Sequence, residues 1–199
     1  MAIVPDFRLR EIGATLIDPF DPEMVQPASI DVHLDRYFYR AQTVDPTYVI
    51  DPVKSNDDCF EELFEVPEGE TFLMNPKDFV LASTVQKLTV PTNMMARFEG
   101  KSSLGRIGLL THITAGFIDP GFSGFITLEL KNVTNFGIVL HPGMKIGQIC
   151  FEDLSASVEF PYGSSENGSH YQDQVGPTLS KIDQNFNKIN VYATPEEGE

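Results

Sequence analysis

The sequence predicts an all-β fold with one short N-terminal helix, and two observations point to it. Fifteen Gly and 14 Pro in 199 residues punctuate short runs rich in Val, Ile, Thr and Phe, the pattern of strands bounded by turns. Two of those runs alternate strictly between apolar and polar side chains, the period of a strand with one buried face.

The helix is expected over Asp6 to Gly13, where Asp6 can cap the start, Leu9 and Ile12 share a face, and Gly13 can end it. Strands follow. In Ser29–Leu34, Ile30, Val32 and Leu34 face one way and Asp31 and His33 the other. Residues 44–70 carry nine acids against the single Lys54 and read as a solvated loop or meander. Phe79–Val85 reads as a more buried strand. In Phe125–Lys131, Ile126, Leu128 and Leu130 form one face and Thr127, Glu129 and Lys131 the other. Ile138–Ile146 reads as a hairpin, with Pro142-Gly143 suited to the centre of a type II turn. From Pro161 to Gly176 the composition shifts to Gly, Ser, Asn, Gln and Tyr, which suggests a flexible C-terminal arm; 187–199, ending in Thr194–Glu199, is expected as a disordered tail. No repeat or linker divides the chain, so one domain over 1–199 is expected.

Fourteen Lys and Arg against 29 Asp and Glu give a net charge of −15. Binding to nucleic acid is not expected, because neutralising a phosphate backbone needs a basic face. A small polyanion would need a confined cationic pocket or a metal counterion. Cys59 and Cys150 are too few for a disulfide framework or a Cys-rich zinc site and fit a reducing cytoplasm. No signal-peptide pattern opens the chain, and no run of about 18 apolar residues could span a membrane. A cytoplasmic location without membrane contact is expected.

The densest unusual stretch runs from Phe98 to Cys150. Gly100-Lys101-Ser102 invites a phosphate-loop reading, but that pattern needs a Gly where Met95 stands. No Gly-x-Ser-x-Gly elbow surrounds Ser102 or Ser123. What remains is a Gly-flanked turn with two hydroxyls and two cations, groups that suit phosphate oxygens. An ordinary surface turn is the commoner meaning of such a segment. Asp119, in Asp119-Pro120-Gly121, is by default a turn-initiating residue. Glu129 is either solvated or a carboxylate held in a pocket. Gln148 shares a strand face with Met144, Ile146 and Cys150, and an amide on an apolar face calls for a specific partner. His33, His112, His141 and His170 are scattered, and no Pro-Cys-x-x-Cys occurs, so the zinc signature of nucleobase deaminases is absent.

Gly100-Lys101-Ser102-Ser103-Leu104-Gly105-Arg106, the run Thr114 to Gly124 and Thr127-Leu128-Glu129 closely resemble the dCTP deaminase branch of the dUTPase-like superfamily. Gln26–Asp31, Pro142–Gln148 and Pro161–Ser165 agree with it, and the resemblance runs from about Ile17 to Phe186. Gly116-Phe117, where deaminases that stop at dUTP carry His-Arg, is similar to the bifunctional, dUMP-forming type. The resemblance implies a distorted β-barrel or jelly roll of the β-clip kind. It also implies a homotrimer with sites at subunit interfaces, dCTP (and dUTP) as substrate, Mg2+ carried by the triphosphate, and no zinc.

By the same resemblance, Glu129 is the general base and acid for attack of water on C4 of cytosine. Ser102 and the carbonyl of Ala115 hold that water, and Arg106 orients Glu129. Lys101, Ser103, Leu104 and Gly105 belong to the substrate-binding turn. Asp119 meets the deoxyribose and positions water for phosphate cleavage. Thr127 and Leu128 line the base pocket, and Gln148, Tyr162, His170 and Gln174 meet the phosphates. At the position of His170 the family usually has Lys or Arg, so a side chain that is ordinarily mostly neutral at pH 7 replaces a cation. Three readings follow: the bifunctional enzyme, a deaminase releasing dUTP, and a trimeric nucleotide-binding regulator without turnover. The intact Glu129, Ser102, Arg106 and Asp119 speak against the last.

Overall fold

A computed structural model describes residues 2–42, 47–55 and 57–186; the expected tail over 187–199 lies outside the described residues. The first half holds β1 (Ala2–Ile3), β2 (Ile17–Asp18), β3 (Val25–Gln26), β4 (Ser29–His33), β5 (Tyr37–Arg40), β6 (Phe64–Glu65) and β7 (Phe72–Met74). The second holds β8 (Phe79–Thr89), β9 (Met94–Gly100), β10 (Leu109–Leu110), β11 (Phe117–Ile118), β12 (Ser123–Asn132), β13 (Ile138–Leu140) and β14 (Lys145–Asp153). Two helices, α1 (Asp6–Leu16) and α2 (Ser102–Arg106), interrupt them.

One sheet has the order β11-β9-β14-β4-β3, with β1 also on β14; the other runs β10-β12-β8-β5-β6, with β2 on β8; β13 and β7 pair separately. A bridge between Leu34 and Thr84 ties the first sheet to the second. Both sheets and α1 feed one core, in which Leu9, Val32, Phe38, Leu128, Leu130 and Phe151 are fully buried. The fold is mostly β, with distorted sheets that do not close into a regular barrel.

Three local expectations are corrected. The helix runs past Gly13 to Leu16, and Pro5 rather than Asp6 precedes it, with no side-chain cap. Asp6 instead pairs with Arg10 one turn on, at 2.7 Å. Gly13 is a packing site, since a Cβ there would lie 2.2 Å from the Phe20 ring. The turn at Pro142-Gly143 forms, with Gly143 at φ +84° and Met144 N–H donating to His141 O at 3.0 Å. It does not close a hairpin, because β13 pairs with β7 while β14 pairs with β4 and β9. The chain changes sheet there.

The third correction concerns β14. A register irregularity between Lys145 and Gly147 shifts the alternation, so Ile146, Ile149 and Phe151 point into the core while Gln148 and Cys150 are half-buried on the other face. Gln148 therefore does not share the face of Ile146.

Candidate active site

The long strand β12 places the first set of groups. Alternation sends Leu128 and Leu130 into the core and leaves Thr127 and Glu129 half-buried on the opposite face. Leu128 can thus offer a ligand only its backbone. Glu129 Oε2 accepts the Ile113 N–H at 3.0 Å, which fixes the carboxylate against the loop between β10 and β11. Thr127 Oγ1 accepts the Thr178 N–H of the C-terminal arm at 3.1 Å. On this edge of β12, β10 pairs with Asn132 and Lys131. The arm pairs further back, with Asp173 N–H on Ser123 O at 2.7 Å and Phe125 N–H on Gln174 O at 3.1 Å. Between them, on the edge turned away from β8, Thr127 to Leu130 has no strand partner among the described residues.

The run from Thr114 to Gly124 flanks that opening. Phe98 N–H donates to Gly116 O at 2.8 Å, and a Cβ on Gly116 would come within 2.9 Å of Phe98 O. Only glycine lets this backbone lie so close to β9. Ala115 and Phe117 are exposed. The Asp119 turn is closed by its backbone, Phe122 N–H to Asp119 O at 3.2 Å, so the exposed Asp119 carboxylate is not spent on the turn. The arm clamps this turn: Tyr162 N–H donates to Pro120 O at 2.8 Å, and its ring meets Phe122 edge-on at 5.7 Å. Gln174 Nε2 donates to Phe125 O at 2.6 Å, while its Oε1 is buried without a partner. His170 Nε2 lies 2.7 Å from Asn185 Oδ1, and the Tyr162 hydroxyl accepts the Tyr171 N–H at 3.1 Å.

A second set gathers at the entrance to α2. Lys101 stands at the position before the helix; Ser102, Ser103, Gly105 and Arg106 are exposed, and Leu104 packs on the core. The Lys101 ammonium contacts the carboxylate of Asp31 and lies 3.4 Å from Gln148 Oε1. Ser29 Oγ donates to that same oxygen at 3.3 Å. An ammonium can only donate, so the carbonyl of Gln148 must face Lys101, and its NH2 is left to serve another acceptor. Lys145 reaches the other oxygen of Asp31 at 3.1 Å. Asp31 is 3% exposed. Sequence reasoning missed the grouping of Asp31 with Lys101 and Lys145. The signal was a carboxylate centred in an otherwise buried strand, but the alternation pattern reads it simply as outward-facing.

The structure thus brings Lys101 to Gln148, sets Tyr162 on the Asp119 turn and Gln174 on Phe125, and leaves Thr127 and Glu129 on one face farther along β12. Among the described residues, no hydrogen bond or ion pair joins Glu129 to Ser102 or Arg106. Ile107, Leu110, Ile113 and Phe117, which surround these groups, are 43–56% exposed. No group of three or more His, Cys, Asp or Glu converges as a metal site among the described residues.

Residues 7–154 match the family model described as dCTP deaminase-like. The chain belongs to that family. A "dCTP deaminase, dUMP-forming" of Rhodococcus erythropolis is 56% identical over 177 residues, covering 89% of this chain and 93% of its own. One from Mycolicibacterium gilvum is 53% identical over 180 residues, covering 90% and 94%. The fold is similar to a solved 2'-deoxycytidine 5'-triphosphate deaminase from Agrobacterium tumefaciens, with a TM-score of 0.60 and 24% identity over 76% of this chain; the chain spans 48% of that longer one. In this dCTP deaminase-like chain, Lys101 to Gln148 fall inside the family match, whereas Tyr162, His170 and Gln174 lie beyond it, in the arm.

Proposed function

We propose that the protein converts dCTP and two waters into dUMP, diphosphate and ammonia. The observation that carries this reading is the 53–56% identity, over nearly the whole chain, to proteins named dUMP-forming dCTP deaminases. Glu129 takes a proton from water as its oxygen adds to C4 of cytosine, then protonates the base so that ammonia departs. Its half-buried carboxylate, held by the Ile113 N–H, is supported for that role by position. Ser102 and the Ala115 carbonyl hold the water, and Arg106 orients Glu129. The exposed Asp119 carboxylate meets the deoxyribose and positions the second water, which attacks the α-phosphorus and releases diphosphate. Lys101, Ser103, the Gly105 backbone and the free NH2 of Gln148 bind the phosphates, and the substrate enters as its Mg2+ complex. No zinc takes part.

Gly116 gives the dUMP-forming outcome a physical basis. With Phe98 O at 2.9 Å from a would-be Cβ, a side chain there would displace the segment leading to Asp119. A deaminase releasing dUTP needs no such path.

The complete site forms between the subunits of a homotrimer, a reading supported by the lack of any hydrogen bond or ion pair from Glu129 to Ser102 or Arg106 among the described residues and by the exposed apolar side chains of Ile107, Leu110, Ile113 and Phe117. Free Cys59 and Cys150 fit the cytoplasm; no helix among the described residues is long and apolar enough to cross a membrane. A net charge of −15 supports a free nucleotide rather than nucleic acid as partner. Ammonia release from dCTP tests the deamination step, and its absence refutes the proposal.

A further inference from the structure

The functional reading above requires the arm to lie against a triphosphate, and this inference rests on that reading. Between Asp153 and Phe186 the sequence contains one Lys or Arg, Lys181. The structure folds it back onto the segment carrying His170 by three contacts. Its N–H donates to the Tyr171 hydroxyl at 2.9 Å, its Nζ donates to His170 O at 2.8 Å, and the ammonium lies 5.6 Å from the centre of the Tyr171 ring. Tyr171 is joined in turn to the Tyr162 hydroxyl at 3.1 Å. The same arm is fastened to β12 beside Glu129, through Thr178 on Thr127.

Lys181 is half-buried and takes part in no ion pair among the described residues. It is held instead by the backbone carbonyl of His170 and the face of the Tyr171 ring. An ammonium has three donors, and the His170 carbonyl uses one, so two remain for anionic oxygens. His170 itself is turned to Asn185. We infer that Lys181 is a phosphate-binding residue of the arm, supplying at the main chain of residue 170 the permanent charge that a histidine side chain does not.

The test is calorimetric binding of Mg-dCTP and of dCMP to the full-length Glu129→Gln protein, which prevents turnover, and to the same parent carrying Lys181→Gln or Lys181→Arg. Lys181→Gln should weaken dCTP about tenfold, the scale of one charged hydrogen bond. It should leave dCMP nearly unchanged, and Lys181→Arg should restore dCTP binding. A His170→Lys background should shrink the loss, because a second cation then shares the phosphates. Equal weakening of dCTP and dCMP would show that Lys181 only docks the arm and would overturn the inference, as would unchanged dCTP affinity. Failure of the Glu129→Gln parent itself to bind dCTP would overturn the functional reading and the inference with it.

Discussion

The Lys101 ammonium rests on the Asp31 carboxylate, 70 residues earlier in the chain, and Asp31 is 3% exposed while serving Lys145 as well. One carboxylate thus organises two cations beside Gln148 in a strongly acidic protein.

Asp31→Asn keeps the size of the side chain but removes its charge. We expect it to cost about 1–3 kcal/mol, less than a fully buried pair because Lys145 is partly solvated. It should also raise KM for dCTP as Lys101 loses its anchor. Urea unfolding and steady-state kinetics measure both; an unchanged midpoint and KM would show that the contact organises nothing.

Glu129→Gln should lower ammonia release by about 10²–10⁴-fold, since an amide cannot shuttle the proton. The amide oxygen can still accept the Ile113 N–H, so dCTP affinity and the assembly should persist. Near-normal turnover would remove Glu129 from the mechanism.

Gly116→Ala meets a backbone oxygen, which cannot swing aside as a side-chain tip can. A cost of about 1–3 kcal/mol is expected from this overpacking. The displaced Asp119 turn should let dUTP escape, so the ratio of dUTP to dUMP rises. Chromatography of the products reads it, and an unaltered ratio would separate Gly116 from the choice of product.

Burial, reinforced by Asp58, pushes the Cys59 thiol up; burial, with Glu99 and Glu152 adding, does the same to Cys150. A raised pKa means less thiolate at any given pH, and the thiolate is the nucleophile. Both should alkylate more slowly than a free cysteine at pH 8.5 and catch up after unfolding in urea. Fast labelling of the native protein by iodoacetamide, followed by mass spectrometry, would contradict this.

Light scattering on the purified protein should give a mass three times the 22.2 kDa chain. A monomer that retains full activity would contradict a site shared between subunits.

Much of this was legible from local pattern. The alternation in Phe125–Lys131 places Glu129 opposite Leu128 and Leu130, as found. The type II turn at Gly143 follows from its dipeptide. What local pattern missed depends on distant residues. Whether Ile138–Ile146 closes on itself is decided by β7, β4 and β9. The face of Gln148 is set by a bulge against β4, and the burial of Asp31 by two lysines far along the chain. Gly13 looked like a helix stop because nothing nearby announces that Phe20 will pack on it.

The direct passage from dCTP to dUMP is tested by incubating the protein with Mg2+ and dCTP labelled at the α-phosphate and separating the products over time. Labelled dUMP is expected, with ammonia and diphosphate in equal amounts and little free dUTP at any point. Labelled dUTP accumulating as the main product, or dCTP left intact, would contradict it.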